Sequence, residues 1–322
     1  MFFVYLAVRR VDVSESLRVL GTARPLFLGA AVLVYLSGLP VRTLRWRLIL
    51  RAQRKLSWRE VLVPLIVGHM ANNVLPARTG EIYRAHFLGR RVQMSRSGVV
   101  GSIVVERAFD GLMLVCVMLL VLVSFPGEHL LGGAALATAA VFLGLAGAII
   151  LYGLAAESTH RGIERALLLL PRMLQQLVRV RLDAFLSAIR GFLKTGGFVR
   201  IILYTALIWL IEAGAIALVV LAFDVALPVG GYLLVFALAA LSTTLPSGPG
   251  YIGPYQYAFI VALGVFAVSR EAALAISVAA QASLLGSVTV IGIALLWREN
   301  LSLGEMARKA REEQTKVGEK AG

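Results

Sequence analysis

The sequence predicts an all-α polytopic membrane protein, built as an inverted-topology repeat with two re-entrant broken-helix hairpins. Three observations predict it. Of the 322 residues, 59% are apolar and 16% charged, less charge than a soluble domain carries. Several windows stay apolar for about 20 residues, enough to cross ~30 Å of hydrocarbon, and none alternates like a β-barrel strand. Two shorter apolar runs end in one pattern: Leu75-Pro76-Ala77-Arg78-Thr79-Gly80 and Leu245-Pro246-Ser247-Gly248-Pro249-Gly250. Short, interrupted apolar segments in corresponding places of two halves are where transport sites tend to lie.

The chain opens with an apolar stretch from Met1 to Val8, followed by Arg9 and Arg10. It is too short to span and lacks the layout of a signal peptide. It reads as the tail of a first span, shortened by a mis-set start or by real loss. The first clear span covers 25–49. Arg42, Arg45, Arg47, Arg51, Arg54, Lys55 and Arg59 gather at its end, which puts that end in the cytoplasm by the positive-inside rule.

The run from Val61 to Leu75 reaches only ~22 Å as a helix. Arg78, Arg84, Arg90, Arg91 and Arg96 follow it, against the acid Glu81. Basic flanks on both sides predict a hairpin that enters from the cytoplasm and returns there. Pro76 and Gly80 break the helix, and the tip must be buried in protein or face water.

Residues 99–124 form a full span. The loop from Ser124 to His129 has no Lys or Arg, so it lies outside, and 130–154 returns inward. The segment 157–198 is basic, with apolar Ile163, Leu167, Leu170, Leu174 and Leu177 at helical spacing, as in a helix lying at the cytoplasmic interface. Residues 199–223 go out. Leu233 to Leu245 is the second short run, broken by Pro246, Pro249, Gly250 and Gly253. Residues 255–268 and a span at 272–297 complete the second half. The predicted domains are a first repeat over 1–124 with a truncated first span, a second repeat over 125–297 that includes 157–198, and a cytoplasmic tail over 298–322. Each half runs span, span, hairpin, span, with opposite orientations.

The formal charge of +14 sits in short loops beside spans, where it sets orientation and meets anionic lipid. Nucleic acid is not an expected partner. The expected partners are membrane lipids with anionic headgroups and, in a homodimer, a second copy of the chain. Cys116 is the one cysteine, and His69, His86, His129 and His160 show no metal-ligand spacing. No metal and no cofactor are expected. There is no Walker A loop and no Rossmann glycine pattern.

Four motifs in order carry a family resemblance: Arg42-Thr43-Leu44-Arg45-Trp46; Asn73 through Ala85; Glu106-Arg107-Ala108-Phe109-Asp110; and Leu245 through Gly253. Over about 25–297 the chain resembles the lysylphosphatidylglycerol synthase transmembrane-region family, also called flippase-like. That family includes the membrane half of bacterial multiple peptide resistance factors, and stand-alone members, some linked to polyprenyl-lipid glycan pathways. With only a short tail after its last span, the chain resembles the translocase-like half and not the lipid-aminoacylating enzyme. The resemblance implies a prokaryotic cytoplasmic membrane, with the C-terminus cytoplasmic by the loop charges.

On the resemblance, Arg78, Glu81 and Arg84 sit at the first hairpin tip. The guanidinium forks of Arg78 and Arg84 suit a phosphodiester, and Glu81 could orient one of them or meet a cationic headgroup. An ordinary basic loop facing lipid is the plainer alternative. Glu106, Arg107 and Asp110 lie near the cytoplasmic start of the 99–124 span. Glu106 and Asp110 share a face, and Arg107 can pair with Asp110. Headgroup binding through Arg107 and a structural tie both remain open. Glu212, an acid in mid-span, is either paired across the fold or protonated. Asn73 supplies polar support at the first tip. The glycines and prolines over 246–254 act through the backbone, opening the helix to a cavity.

The expected function is a lipid translocase, not an enzyme. It would move a phospholipid or polyprenyl-phosphate-linked lipid, with phosphate meeting Arg78, Arg84 and Arg107 between the hairpins. The alternative is a membrane subunit or accessory of a lipid-modifying or polyprenyl-linked glycosyl transfer enzyme. A third reading is a scaffold docking through 157–198.

Overall fold

The computed structural model describes residues 11–75, 80–125, 197–245 and 248–298, plus isolated positions 5, 133, 140, 143, 144, 147 and 191. The opening apolar stretch, Pro76, Arg78, the returning span 130–154, nearly all of 157–198, Pro246 and the tail after Arg298 lie outside the described residues. All regular structure among the described residues is helical. Among the described residues, four helices are long and apolar enough to cross a membrane: Pro25–Leu50, Arg96–Ser124, Phe198–Leu221 and the rod Arg270–Arg298. The chain is a multi-pass membrane protein.

Helix α1 (Val13–Leu20) is not among the sequence expectations. Asp12 caps it, accepting from the amides of Ser14 at 2.8 Å and Glu15 at 3.2 Å, which satisfies two orphan donors of the first turn. Helix α2 is Pro25–Leu50, with Pro40 inside it. Helix α3 is Trp58–Val74. It starts at a reciprocal cap: the Ser57 amide donates to Glu60 Oε2 at 2.6 Å, and the Glu60 amide to Ser57 Oγ at 3.4 Å. Helix α4 (Gly80–Arg91) gives regular form to the basic stretch after the first motif. Helix α5 is Arg96–Ser124, capped by Ser95. Then come α6 (Phe198–Leu221) and α7 (Val229–Ser242). A 3₁₀ turn at Pro249–Tyr251 leads to α8 (Pro254–Gly264). The final rod is α9 (Arg270–Ala280), a π-helical turn at Gln281–Leu285, and α10 (Gly286–Arg298).

The chain packs as two compact units. One is made of Met1–Leu39, Leu62–Arg84 and Leu210–Gly322, the other of Pro40–Val61 and Ala85–Trp209. The division falls inside α2, α3, α4 and α6, so each of these helices contributes to both cores.

In the first unit, small residues set how closely helices approach. A Cβ on Gly292 of α10 would overlap the Cβ of Met70 on α3 and lie 2.8 Å from its Cγ. A Cβ on Gly80 of α4 would collide with the Gly68 carbonyl of α3 and lie 2.6 Å from the Asn72 amide. Met70, Leu65 and Val67 are fully buried there. In hydrocarbon, where lipid tails are as apolar as leucine, such close backbone contact is what drives helices together.

In the second unit, Trp46, Ile49 and Leu50 of α2, Val99, Ile103 and Met118 of α5, and Ile201 and Ile208 of α6 are buried, all at most 3% exposed. The Trp46 indole donates to Ser102 Oγ at 3.0 Å. A buried indole N–H needs such a partner. Phe109 meets Phe198 edge-on at 5.1 Å between ring centroids.

Candidate functional site

The second unit holds a buried ionic quartet. Glu106 and Asp110 lie one turn apart on α5 and so share a face. Two carboxylates there need cations, and two helices supply them. Arg45, from the last turns of α2, donates through Nη1 to Asp110 Oδ1 at 2.5 Å and through Nη2 to Asp110 Oδ2 at 3.3 Å. Its Nη2 also reaches Glu106 Oε1 at 3.0 Å, and its Nη1 reaches Thr205 Oγ1 at 3.1 Å. The Thr205 hydroxyl in turn donates a hydrogen bond to the Ile201 carbonyl at 2.7 Å. Arg107 places Nη2 at 3.1 Å from both Glu106 Oε1 and Asp110 Oδ2. Two positive and two negative side chains thus cancel.

Exposure differs across the quartet. The side chains of Arg45 and Glu106 are fully buried, whereas Asp110 is 15% and Arg107 29% exposed. A lone charge at such a position costs several kcal/mol, which pairing and good hydrogen-bond geometry offset. The sequence reading used Arg45 as one of the basic residues that close the first clear span, and did not name it as a site residue. Helix α2 continues past it, and its neighbour Trp46 is fully buried too. The positive-inside rule counts arginines near a span end and does not see which way each one points.

The first unit holds a neutral polar cluster around the second motif. Gly250 and Gly253 take φ of +67° and +101°, and Tyr251 takes +62°. The two glycines carry no Cβ penalty there, whereas Tyr251 does. Gln281, from the π turn of the last rod, donates its side-chain amide to the Gly250 carbonyl. The Gln256 amide donates to Gln281 Oε1 at 2.5 Å, and Gln256 Oε1 accepts from the Gly253 amide at 2.7 Å. Two glutamines thereby satisfy backbone groups that the broken helix leaves open. Pro249 and Pro254 each begin a helical turn. Gln281 and Gln256 were not among the expected site residues. The signal existed: a glutamine stands in mid-run in an otherwise apolar span.

The two motifs approach each other in this unit. Asn73, at the end of α3, donates to the Leu285 carbonyl at 3.1 Å and to Thr289 Oγ1 at 3.0 Å. Its own carbonyl lies 3.5 Å from where a Cβ on Gly250 would sit.

Glu81 is half-buried on α4. Arg84, one turn further on, is 3% exposed. It runs along Gly68 of α3, where an added Cβ would lie 2.8 Å from the Cβ of Arg84. An arginine stem packed on a helix with its head in the interior differs from a solvated loop charge. Glu212 is half-buried on α6 and within electrostatic range of Tyr255, as is Tyr35. Among the described residues, no group of three or more His, Cys, Asp or Glu is placed to hold a metal ion.

Comparison with known proteins places these features in a family. The chain is 28% identical to "Glycosyltransferase AglD" of Haloferax volcanii over 316 residues, covering 88% of this chain and 50% of that protein. It spans about half the length of that relative. It is 25% identical over 300 residues to a "UPF0104 membrane protein" of Methanothermobacter thermautotrophicus, covering 88% of each. No solved structure matches. Residues 1–292 match the lysylphosphatidylglycerol synthase TM region, and the chain belongs to that family.

Proposed function

We propose that the protein is a lipid translocase of the cytoplasmic membrane, moving a phospholipid or polyprenyl-phosphate-linked lipid between leaflets. The observation that carries this reading is the meeting of the two motifs in one unit. The end of α3, just before the first break, contacts the 3₁₀ turn of the second. Transporters built as inverted repeats bring their interrupted helices together at the substrate site, and this approach supports that reading. Where the backbone leaves the helix, the Gly250 carbonyl and the Gly253 amide are met by Gln281 and Gln256.

In this reading Arg78 and Arg84 capture the phosphate at the first hairpin, Glu81 orients one of them, and Asn73 and Glu212 give polar support in the same unit. Arg107, with Glu106 and Asp110 as its supports, is a separate headgroup-binding cation of the other unit. The lipid tails stay in the bilayer, so the protein moves only the headgroup and need not break a bond. The two repeats rock about the fixed site. Membrane lipids with anionic headgroups are the proposed partners, with the C-terminus on the cytoplasmic side.

Reconstitution tests it. Arg84→Gln and Arg78→Ala should each slow transbilayer movement of fluorescent phosphatidylglycerol in proteoliposomes while the protein still melts cooperatively. Mutant rates equal to wild type would remove these arginines from the site.

A second reading has one observation in its favour, the similarity to a protein named a glycosyltransferase. The chain would then be the membrane part or accessory of a polyprenyl-linked glycosyl transfer system. Product formation by the purified chain from a labelled sugar donor would favour it over translocation.

A further inference from the structure

The quartet on α2 and α5 has an internal inequality. Arg45 is fully buried and reaches both carboxylates, gripping Asp110 with two nitrogens and holding Thr205 as well. Arg107 reaches the same two carboxylates from the exposed side, with one nitrogen serving both at 3.1 Å. If Arg107 leaves, neither Glu106 nor Asp110 loses its last cation, because Arg45 still touches each. If Arg45 leaves, the buried Glu106 loses its fully buried cation. The two arginines therefore differ in what their departure costs. A buried charge stripped of its partner is penalised heavily, whereas a partly exposed pair is worth little.

We infer that Arg107 is an exchangeable cation, which leaves Glu106 and Asp110 to bind a phosphate-bearing headgroup while Arg45 remains as the fixed counter-ion of both carboxylates. This rests on the translocase reading for its ligand class. The docked state keeps Arg107 desolvated on one side and pre-positioned, so less rotamer entropy is lost when phosphate arrives. Guanidinium suits both situations, since its planar fork meets carboxylate and phosphate with the same two-pronged geometry. Competition by the carboxylates weakens resting phosphate affinity. That suits a carrier, which must also release its cargo.

Loosening the dock should strengthen lipid binding, the opposite of what a structural salt bridge would give. The probe is phosphatidylglycerol titrated into phosphatidylcholine nanodiscs carrying the full chain, read by native mass spectrometry, with inorganic phosphate as a soluble probe in parallel. Asp110→Asn should raise phosphatidylglycerol affinity by about two- to fivefold, the range for releasing a partly exposed pair, without changing phosphatidylcholine binding. Arg107→Gln should lower it. In the Arg107→Gln background, Asp110→Asn should give no gain, whereas Arg107→Lys in place of Arg107→Gln should keep part of the wild-type affinity. Glu106→Gln loosens the same dock should Asp110→Asn not fold. A gain with both probes supports exchange onto the phosphate anion itself; a gain with the lipid alone supports exchange onto a bilayer-held headgroup. A gain that persists without Arg107 would reduce the effect to a general change of field and overturn the inference, as would no gain in Asp110→Asn and Glu106→Gln. Because the readout is equilibrium binding, a gain without transbilayer movement would leave the exchange standing and remove the translocase reading instead.

Discussion

Arg45 and Asp110 are joined by a two-pronged ion pair, with Nη1 to Oδ1 at 2.5 Å and Nη2 to Oδ2 at 3.3 Å, between a fully buried guanidinium and a mostly buried carboxylate. The pair ties the last turns of α2 to the middle of α5. Truncating Arg45 leaves the buried carboxylate of Glu106 underpaired. Arg45→Met is therefore expected to cost about 3–5 kcal/mol, the range for breaking a buried pair. Arg45→Lys should recover little, because an ammonium cannot serve two carboxylates and Thr205 with a fork. Thermal melting in detergent checks both variants.

Next to it, Trp46 donates to Ser102 inside the same core. Trp46→Phe and Ser102→Ala should each destabilise, with the double variant costing less than the two single losses added. A coupling of about 0.5–1.5 kcal/mol is expected for a neutral buried hydrogen bond. The double-mutant cycle measures it directly.

Glycine positions separate into two classes. Gly292 has Met70 where its Cβ would go, whereas Gly214 of α6 has nothing within 4 Å. Gly292→Ala should lose about 1–3 kcal/mol through overpacking. Gly214→Ala should be neutral or gain about 0.5–1 kcal/mol from reduced backbone entropy. Melting curves of the two variants in one detergent should move in opposite directions or differ by several degrees.

Gln281 holds open backbone at the second break. Gln281→Leu strands the Gly250 carbonyl and one Gln256 amide, at an expected cost of about 1–3 kcal/mol per buried unsatisfied group. Gln281→Glu keeps an acceptor for Gln256 but loses the donor to Gly250, so it should fall between Leu and wild type. Lipid movement in proteoliposomes should fall in the same order if the break lines the path.

Much of the fold was legible because lipid imposes simple rules. The spans expected at 25–49, 99–124, 199–223 and 272–297 correspond to α2, α5, α6 and the α9–α10 rod within a few residues. Helix α1 escaped because eight residues with one cap carry little hydropathy signal, although Asp12 and Glu15 mark its start. The carboxylates of the quartet were legible as acids at helical spacing inside an apolar run. Arg45 was not, because a cation at a span end reads the same whether it points to water or into the core. The clamp of Gln256 and Gln281 was legible only as a glutamine within an apolar span, and its partners were hidden for another reason. It joins residues brought together only by tertiary packing, and no local spacing encodes that.

The most direct test of the central proposal is transbilayer movement of fluorescent phosphatidylglycerol in proteoliposomes, read by dithionite quenching of the inner-leaflet pool. Wild-type protein should make that pool accessible well above protein-free liposomes, and Arg84→Gln should bring it close to the protein-free level with folding retained. Equal accessibility with and without protein, across anionic and polyprenyl-phosphate lipids, would contradict the account.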